Sequence, residues 1–341
     1  MVSAIEVRDL TKSFDAPGTF PWSRSAAPTL ALDRATFDVA AGEIFALIGP
    51  NGAGKTTLLK ILSTILLPTS GWARILGYDV VEEEAAARAR LALVTNSERS
   101  FYYRLSGWEN LRFFCGLYNM DAREVERTAR PIAERLGLDD PLLHRAYRTY
   151  STGTQRKLQF LRAFVLDTPV LFLDEPTSSL DPVSAEEVRA VISKECRDRH
   201  QTVVLSANNL VDVERLADRV AMIHRGRLEM FGAPPSSRGA TCVRLIVRAD
   251  EAQTLAAGER WRASHPPDTV PELEAEERAG GTTVLRYWAV DPSRLLPSLL
   301  EALRTARLDV DQVDLRPFVL EEEFLRRVDT GRDEPSVEAG P

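Results

Sequence analysis

The sequence predicts an α/β fold built on a parallel sheet, followed by a smaller α+β domain. Two short apolar runs, 44–48 and 170–173, contain no polar residue and indicate buried strands. Helical patterns separate the predicted strands, and such alternation is typical of a parallel sheet covered on both faces. After residues 233–240, a Pro- and Ser-rich stretch, the pattern changes to a new set of strands and helices.

The composition is that of an ordinary globular protein. The chain has 341 residues, of which 44% are apolar and 27% are charged. This length accommodates one large domain and one small domain. The formal net charge of −7 argues against a nucleic-acid partner, because neutralising phosphates requires a clustered surplus of Lys and Arg.

The hydropathy and cysteine patterns indicate where the chain resides. It has no apolar run of eighteen residues and no secretory signal pattern, so we expect a cytoplasmic protein without a membrane span. Cys115, Cys196 and Cys242 match neither a disulfide framework nor a zinc site. We expect thiols in a reducing compartment.

The first domain is predicted over residues 1–232. A helix over about 55–65 follows the first apolar run, and further strands are predicted at 203–205 and 220–223. Helical patterns at 108–118, 123–136 and 151–166 interrupt the strand sequence and predict a helical subdomain, about 97–166, inserted into the sheet domain. Residues 16–29 contain three prolines and predict a loop.

The second domain is predicted over residues 241–330, after a linker at 233–240. Strands are expected at 241–248, 282–290 and 308–315, with helices at 251–262 and 294–305. With one weak strand near 270, this order fits a ferredoxin-like arrangement. The polar residues 331–341 predict a disordered tail.

A phosphate-binding loop follows the first buried strand. The pattern G-x-x-x-x-G-K-[ST] is matched between a strand and a helix, where backbone N–H groups and the helix N-terminus favour phosphate. Lys55 is expected to contact the outer phosphates and the Thr56 hydroxyl to bind Mg²⁺. The predicted nucleotide-binding residues are Gly49, Pro50, Asn51, Gly52, Ala53, Gly54, Lys55, Thr56 and Thr57.

Two acidic residues, Asp174 and Glu175, end the second buried strand. The carboxyl ends of parallel strands form the ligand-binding edge of open α/β sheets. We therefore expect Asp174 to hold Mg²⁺ and Glu175 to act as the general base on the attacking water. Two solvated acids at a strand end are the alternative interpretation.

The segment 150–155, Tyr-Ser-Thr-Gly-Thr-Gln, resembles the signature of ABC ATPases, and residues 176–181 resemble their D-loop. Ser151 and Gly153 match the usual Leu-Ser-Gly-Gly-Gln, whereas positions 150, 152 and 154 depart from it. The resemblance covers about residues 4–232 and implies a P-loop NTPase of the ABC ATPase type. It also implies ATP and Mg²⁺ as cofactors, Asp181 near the nucleotide, and Phe14 stacked on adenine. Core packing is the alternative for Phe14.

The same resemblance implies two protein partners. One is a second ATP-binding subunit, in a homodimer or a heterodimer, whose signature serine and helix N-terminus face the nucleotide across the interface. The other is a transmembrane permease, which places the chain at the cytoplasmic face of the membrane. A soluble ABC ATPase of translation or DNA repair is a rival, although the chain has neither two cassettes nor a long coiled coil.

Two positions depart from the family pattern around the catalytic site. Asn96 stands where a glutamine usually contacts Mg²⁺ and water, with Glu98 nearby, and Asn208 stands where a histidine usually bonds the γ-phosphate. An asparagine donates a neutral hydrogen bond but cannot carry a positive charge. We therefore hypothesise retained binding and dimer closure with slowed hydrolysis. The alternative is a low-turnover regulatory or degenerate ATP-binding subunit that works in a heterodimer.

Residues 99–111, 116–118 and 319–325 resemble the drug, antibiotic and polysaccharide exporters of the family. This resemblance implies that four aromatic residues form the surface that faces the permease, since exposed aromatic residues often mark interfaces. Packing inside the helical subdomain is the alternative. The four residues are Phe101, Tyr102, Tyr103 and Trp108.

Overall fold

The computed structural model describes residues 3–14, 28–95, 101–232, 241–265, 273–278, 281–289 and 291–317. The chain forms two compact units, Met1–Ala233 and Pro234–Pro341. The strands of the first unit are β1 (Ser3–Phe14), β2 (Thr29–Ala40), β3 (Ile44–Ile48), β4 (Ser70–Ile75), β5 (Tyr78–Asp79), β6 (Leu91–Val94), β7 (Val170–Asp174), β8 (Thr202–Ala207), β9 (Arg219–His224) and β10 (Arg227–Gly232). Its helices are α1 (Lys55–Leu62), α2 (Glu84–Arg88), α3 (Gly107–Gly116), α4 (Ala122–Arg135), α5 (Asp140–Leu143), α6 (Thr152–Val165), α7 (Pro182–Asp198) and α8 (Leu210–Leu216).

A six-stranded sheet forms the centre of the first unit, with the order β10-β9-β3-β8-β7-β6 among the described residues. Neighbouring strands run parallel from β9 to β6, and β10 pairs antiparallel with β9. Every residue of β3, β7 and β8 is buried, so both faces of the sheet are covered. The predicted parallel sheet is confirmed, and the carboxyl ends of its central strands meet at one edge.

A second, antiparallel sheet has the order β2-β1-β4-β5. Strand β2 was not predicted, although its buried residues alternate with more exposed ones from Ala35 to Val39. Phe37 of β2 stacks on Phe45 of β3 with ring centroids 5.3 Å apart, which joins the two sheets. Most of the predicted loop 16–29 lies outside the described residues, and Thr29 already belongs to β2.

Helices α3 to α6 lie between β6 and β7 in the chain, as the inserted helical subdomain predicts. Their N-termini are fixed by side chains. Ser106 forms a capping box with Glu109 at α3, Asp121 caps α4 and Ser151 caps α6. Each side-chain acceptor satisfies N–H groups that have no partner within the helix. The short α5 and a 3-10 turn at Tyr147–Thr149 complete this segment.

The second unit comprises β11 (Thr241–Arg248), α9 (Glu251–Ala263), β12 (Glu274–Arg278), β13 (Thr282–Ala289), α10 (Pro292–Thr305) and β14 (Asp309–Pro317). All pairings in its sheet are antiparallel, in the order β12-β13-β11-β14. This is the predicted ferredoxin-like order, and β12 is the weak strand expected near 270. Its core packs Leu245 and Tyr287 of the sheet against Trp261, Leu299 and Leu303 of the helices. Residues 233–240 and 331–341, the predicted linker and tail, lie outside the described residues.

Two further observations concern the cysteine residues and the helices. Cys115 and Cys196 are buried thiols, and burial raises the pKa of Cys196 to about 12. Among the described residues, no helix combines the length and apolar character that crossing a bilayer requires.

Candidate functional site

The loop between β3 and α1 contains two positions, 49 and 54, that only glycine can occupy. A Cβ atom on Gly49 would lie 2.2 Å from the Ile223 carbonyl oxygen. On Gly54, which has φ +114°, a Cβ atom would lie 2.3 Å from the Ala31 carbonyl oxygen. The backbone of the loop is therefore packed tightly against neighbouring strands, and its conformation requires residues without side chains.

The N-terminus of α1 has the features that suit an anion. Gly54 occupies the cap position and supplies no side-chain hydrogen bond, so the first turn has N–H groups available to a ligand. The Lys55 ammonium lies beside them and donates to the carbonyl oxygens of Gly49 at 2.6 Å and Pro50 at 3.2 Å. Burial lowers the pKa of Lys55, while Glu175 and Asp174 act to raise it. This donor set fits the phosphates of a nucleotide.

Asp174, at the end of β7, is the convergence point of three elements. The Thr56 hydroxyl from α1 lies 3.2 Å from each carboxylate oxygen of Asp174. The Ser206 hydroxyl from β8 donates to the same carboxylate at 2.6 Å. The sequence predicted the Thr56 and Asp174 pair but not Ser206. A carboxylate and two hydroxyl groups form an oxygen-rich donor set suited to Mg²⁺.

Glu175 has a left-handed backbone conformation, with φ +49°. Its N–H donates to both the carbonyl oxygen and the hydroxyl of Ser206, at 3.1 and 3.0 Å. Its carbonyl oxygen accepts from Arg156 at 2.9 Å and from the Ser178 hydroxyl at 3.0 Å. A non-glycine residue in this region is sterically strained, and such strain is often found at functional sites.

Asn208 connects Glu175 to the phosphate loop. Its Nδ2 group donates to Glu175 Oε1 at 2.5 Å and to Asn51 Oδ1 at 3.1 Å. The structure thus brings the predicted residue 208 to the site. Asn96 and Glu98 lie outside the described residues, and Thr95 is the last described residue before them.

Ser151, Gly153 and Asp181 begin two helices. The Ser151 hydroxyl accepts from the Thr154 N–H at 3.1 Å and opens α6, with Gly153 in its first turn. Asp181 caps α7 by accepting from the N–H groups of Val183 and Ser184, at 3.0 Å each. The Ser184 hydrogen bonds hold the pKa of the Asp181 carboxyl below its usual value.

Phe14 ends β1, opposite Thr29 of β2, and is 40% exposed. The ammonium of Lys12 lies 5.1 Å from the centroid of its ring. The exposure contradicts the core-packing alternative for Phe14. An exposed ring at a strand end is available to stack on a planar ligand.

The predicted permease-facing aromatic surface is partly wrong. Trp108 is 2% exposed and donates from its indole N–H to Asp140 at 3.1 Å. Phe101 is 5% exposed and packs against the rings of Phe114 and Tyr147. These two residues belong to the core of the helical subdomain.

Tyr102 and Tyr103, by contrast, are exposed. The buried Asn110 side chain accepts from the Tyr102 N–H and donates to the carbonyl oxygens of Tyr102 and Leu105, which fixes this loop. Tyr102 stacks on Phe114, which lines a groove of about 340 Å³ formed by residues of α2, α3, β6 and α6 and by the residues after α1. Its lining includes Leu91, Leu93, Phe114, Leu117, Tyr118 and Arg162.

Known proteins resemble this chain in sequence and in fold. The family model of the ABC transporter matches residues 32–178. The daunorubicin/doxorubicin resistance ATP-binding protein DrrA of Streptomyces peucetius is 34% identical over 313 residues, which cover 91% of each chain. The fluoroquinolones export ATP-binding protein of Mycobacterium tuberculosis is 35% identical over 237 residues, covering 68% of this chain and 75% of that protein.

The fold is shared with solved structures. A dimeric ATP-binding cassette in a post-hydrolysis state, bound to ADP and phosphate, superposes with a TM-score of 0.58 at 20% identity. The superposition covers 67% of this chain and 100% of that one. The chain therefore belongs to the ABC transporter family, as an ATP-binding subunit that hydrolyses ATP to power a membrane permease.

Proposed function

We propose that two copies of this chain bind Mg·ATP between them at the cytoplasmic face of the membrane and drive export through a separate permease. The observation that carries this proposal is the convergence of Thr56 and Ser206 on Asp174, beside Glu175 and the uncapped N-terminus of α1. One edge of the sheet thus brings together N–H groups that can donate to phosphate, residues that can bind a metal ion, and a general base.

The triphosphate is held by residues 49–57. The N–H groups at the start of α1 and the Lys55 ammonium neutralise the outer phosphates, and the helix dipole adds to this attraction. The Lys55 ammonium donates to the Gly49 and Pro50 carbonyl oxygens, and these hydrogen bonds hold it at the phosphate loop. Phe14 stacks on the base, because its ring is exposed at the end of β1.

Thr56 and Asp174 are the residues that would hold Mg²⁺, with Asn96 as a further predicted ligand. A Mg²⁺ ion held there would supply Lewis-acid chemistry, because its charge would offset the negative charge that develops during phosphoryl transfer. Ser206 orients the Asp174 carboxylate by donating to it at 2.6 Å. Outer hydrogen bonds of this kind fix the geometry of ligating carboxylates.

Glu175 accepts the proton of the attacking water, and Asn208 orients the Glu175 carboxylate through its short hydrogen bond. The asparagine also contacts Asn51 in the phosphate loop, so it lies between the base and the phosphates. It supplies a neutral donor where the family has a histidine. A charge-assisted hydrogen bond is about twice as strong as a neutral one, which supports slow turnover here.

The second half of each site comes from a second copy of the chain. Each copy contains both a phosphate loop and a signature, so a twofold head-to-tail pair completes two sites at once. The α6 N-terminus, with Ser151 and Gly153, faces the partner's nucleotide. Asp181 is the N-cap residue of α7 and follows Glu175 closely in the chain, so its cap hydrogen bonds order the segment between the two sites.

The permease surface consists of Tyr102 and Tyr103 together with the groove beside Leu117 and Tyr118. Exposed aromatic residues next to a groove are typical of interface anchors. Because the relatives are named for resistance to daunorubicin and doxorubicin and for export of fluoroquinolones, we propose an organic drug-like molecule as the cargo. The permease would select that cargo.

The proposal is tested by measuring Mg²⁺-dependent phosphate release from the full-length chain and from two Asp→Asn variants. Asp174→Asn removes the metal ligand and should abolish turnover. Asp167→Asn is the matched control, because this exposed acid pairs with Arg199. Equal activity of the two variants would contradict the assignment. Copurification of a membrane permease, and loss of drug efflux when Asp174→Asn is expressed with it, test the transport role.

A further inference from the structure

Arg156 has an unusual set of partners for a buried arginine. It lies in the first half of α6 and is 4% exposed. Its Nη2 group donates to the carbonyl oxygens of Asp174 at 2.7 Å and Glu175 at 2.9 Å. Its Nη1 group donates to the carbonyl oxygen of Thr95 and to Gln159 Oε1. One guanidinium group therefore joins the ends of β6 and β7 to the signature helix.

The partners of Arg156 are main-chain carbonyl groups and an amide, rather than a carboxylate. Burial lowers the pKa of Arg156 to about 10, against the attraction of Asp174 and Glu175. A charge placed in a buried position without a hydrogen-bonded acidic partner destabilises the fold. The rigid, planar fork of arginine presents donors from two separate nitrogen atoms in a fixed geometry, which the single ammonium group of a lysine does not reproduce. These contacts point to a role in function rather than in stability.

Arg156 contacts the main chain beside the proposed metal ligands and at the proposed general base, Glu175. Hydrolysis requires these groups to be held in position. Strands β6 and β7 are parallel neighbours, so Thr95 and Asp174 lie side by side at the ligand-binding edge. Thr95 directly precedes the predicted metal contact Asn96. Glu175 has a strained backbone with φ +49°, and its carbonyl oxygen is held only by Arg156 and Ser178 within the described contacts.

We propose that Arg156 is a positioning residue for hydrolysis, which fixes the main chain of Glu175 and Thr95 to the helix that begins at Ser151. This inference rests on the proposed function. Through Arg156, the general base of one site and the serine that serves the partner's site move as one body. Closure of the dimer against Ser151 then sets the position of Glu175 in its own site.

The test compares Arg156→Ala and Arg156→Lys with the full-length unmodified chain, in single-turnover hydrolysis and in ATP binding. A small misplacement of a catalytic group lowers kcat by about 100-fold. We expect this loss in both variants, with the dissociation constant for Mg·ATP within about threefold of the unmodified value because the phosphate loop is untouched. Guanidinium ion at millimolar concentration should restore part of the activity of Arg156→Ala but not of Arg156→Lys.

Lys157→Ala is the matched control, since Lys157 is next to Arg156 on α6 but pairs with Glu187 away from the site. It should retain the unmodified kcat. An unchanged kcat in Arg156→Lys and Arg156→Ala would overturn the inference, as would an equal loss in Lys157→Ala. If Arg156→Ala does not fold, the kcat of Arg156→Lys alone tests the inference. Failure of the unmodified chain to bind Mg·ATP would contradict the proposed function instead.

Discussion

The amide of Asn208 donates a hydrogen bond to the carboxylate of Glu175, with 2.5 Å between Nδ2 and Oε1. The same amide nitrogen donates to Asn51 in the phosphate loop at 3.1 Å. Residue 208 therefore lies between the proposed general base and the proposed phosphate site. Its chemistry controls how much charge stabilisation the transition state receives.

Replacing Asn208 with histidine should speed hydrolysis. The imidazole can carry a proton and donate a charged hydrogen bond, which the amide cannot. We expect kcat to rise about tenfold or more, a fraction of the 10²–10³-fold that one transition-state donor contributes elsewhere. Steady-state phosphate release from Asn208→His and Asn208→Ala measures the effect. If Asn208→His gave no gain, the hypothesis that the asparagine slows hydrolysis would be wrong.

Removing the Ser206 hydroxyl should weaken the response to Mg²⁺ more than the response to ATP. Ser206 donates to Asp174 at 2.6 Å and also accepts from the Glu175 N–H at 3.0 Å. Loss of an outer partner of a metal ligand typically reduces metal affinity 10–100-fold. We expect the Mg²⁺ concentration for half-maximal activity of Ser206→Ala to rise about tenfold. Ser264→Ala serves as the control in the same titration, because Ser264 is exposed at the end of α9 in the second unit.

The charged side chain of Lys55 should destabilise the folded state of the protein without nucleotide. Burial lowers its pKa, which means that the folded state disfavours the charged form. At neutral pH the residue is charged in both states, so Lys55→Met should raise the melting temperature. We expect about 2–4 °C, the shift that about 1 kcal/mol produces in a domain of the size of the first unit. The same variant should lose ATP binding.

The stability gain of Lys55→Met should also depend on pH. As the pH rises towards the ordinary lysine pKa of about 10.4, the folded protein releases the Lys55 proton before the unfolded chain does. The penalty is relieved over that range, and the difference between the variant and the unmodified chain should shrink. Thermal unfolding at pH 7 and at alkaline pH measures this difference. If the gain in melting temperature of Lys55→Met grew with pH, the proposed destabilisation by charged Lys55 would be wrong.

The exposed tyrosines should matter for permease binding alone. Tyr102→Ser with Tyr103→Ser should reduce copurification of the membrane subunit at least tenfold, since two central aromatic anchors usually carry more than 1 kcal/mol each. ATP binding by the isolated chain should not change. Leu315→Ser is the control, because Leu315 is 53% exposed, against 52% for Tyr102, and lies in the second unit. Equal losses from both surfaces would argue against the proposed interface.

The phosphate loop and Asp174 could be predicted from sequence because their signals are contiguous. Each follows an apolar strand, and parallel strands bring their carboxyl ends to one edge whatever lies between them in the chain. The order of the second unit was likewise readable from its alternating strands and amphipathic helices. Strand β2 was missed, although residues 35–39 show a regular alternation of buried and exposed positions.

Other parts of the site could not be predicted, for physical reasons. Arg156 donates hydrogen bonds to main-chain carbonyl oxygens. Every residue has such a carbonyl group, so the identity of the partner residue does not reveal the contact. The buried Phe101 and Trp108 were mistaken for interface residues. Composition does not show which aromatic residues face inwards. That depends on contacts such as the one from Trp108 to Asp140, 32 positions away in the chain.

The central claim is that Mg·ATP joins two copies of the chain, and light scattering of Glu175→Gln tests it most directly. This variant should keep the phosphate loop intact but lose the general base, which contributes about 10²–10⁴-fold, so bound ATP survives. With saturating Mg·ATP we expect a mass twice that of the 37.9 kDa chain. Adding Ser151→Arg should return the protein to the monomer without loss of nucleotide binding. A Glu175→Gln protein that remained at 37.9 kDa in saturating Mg·ATP would contradict the account.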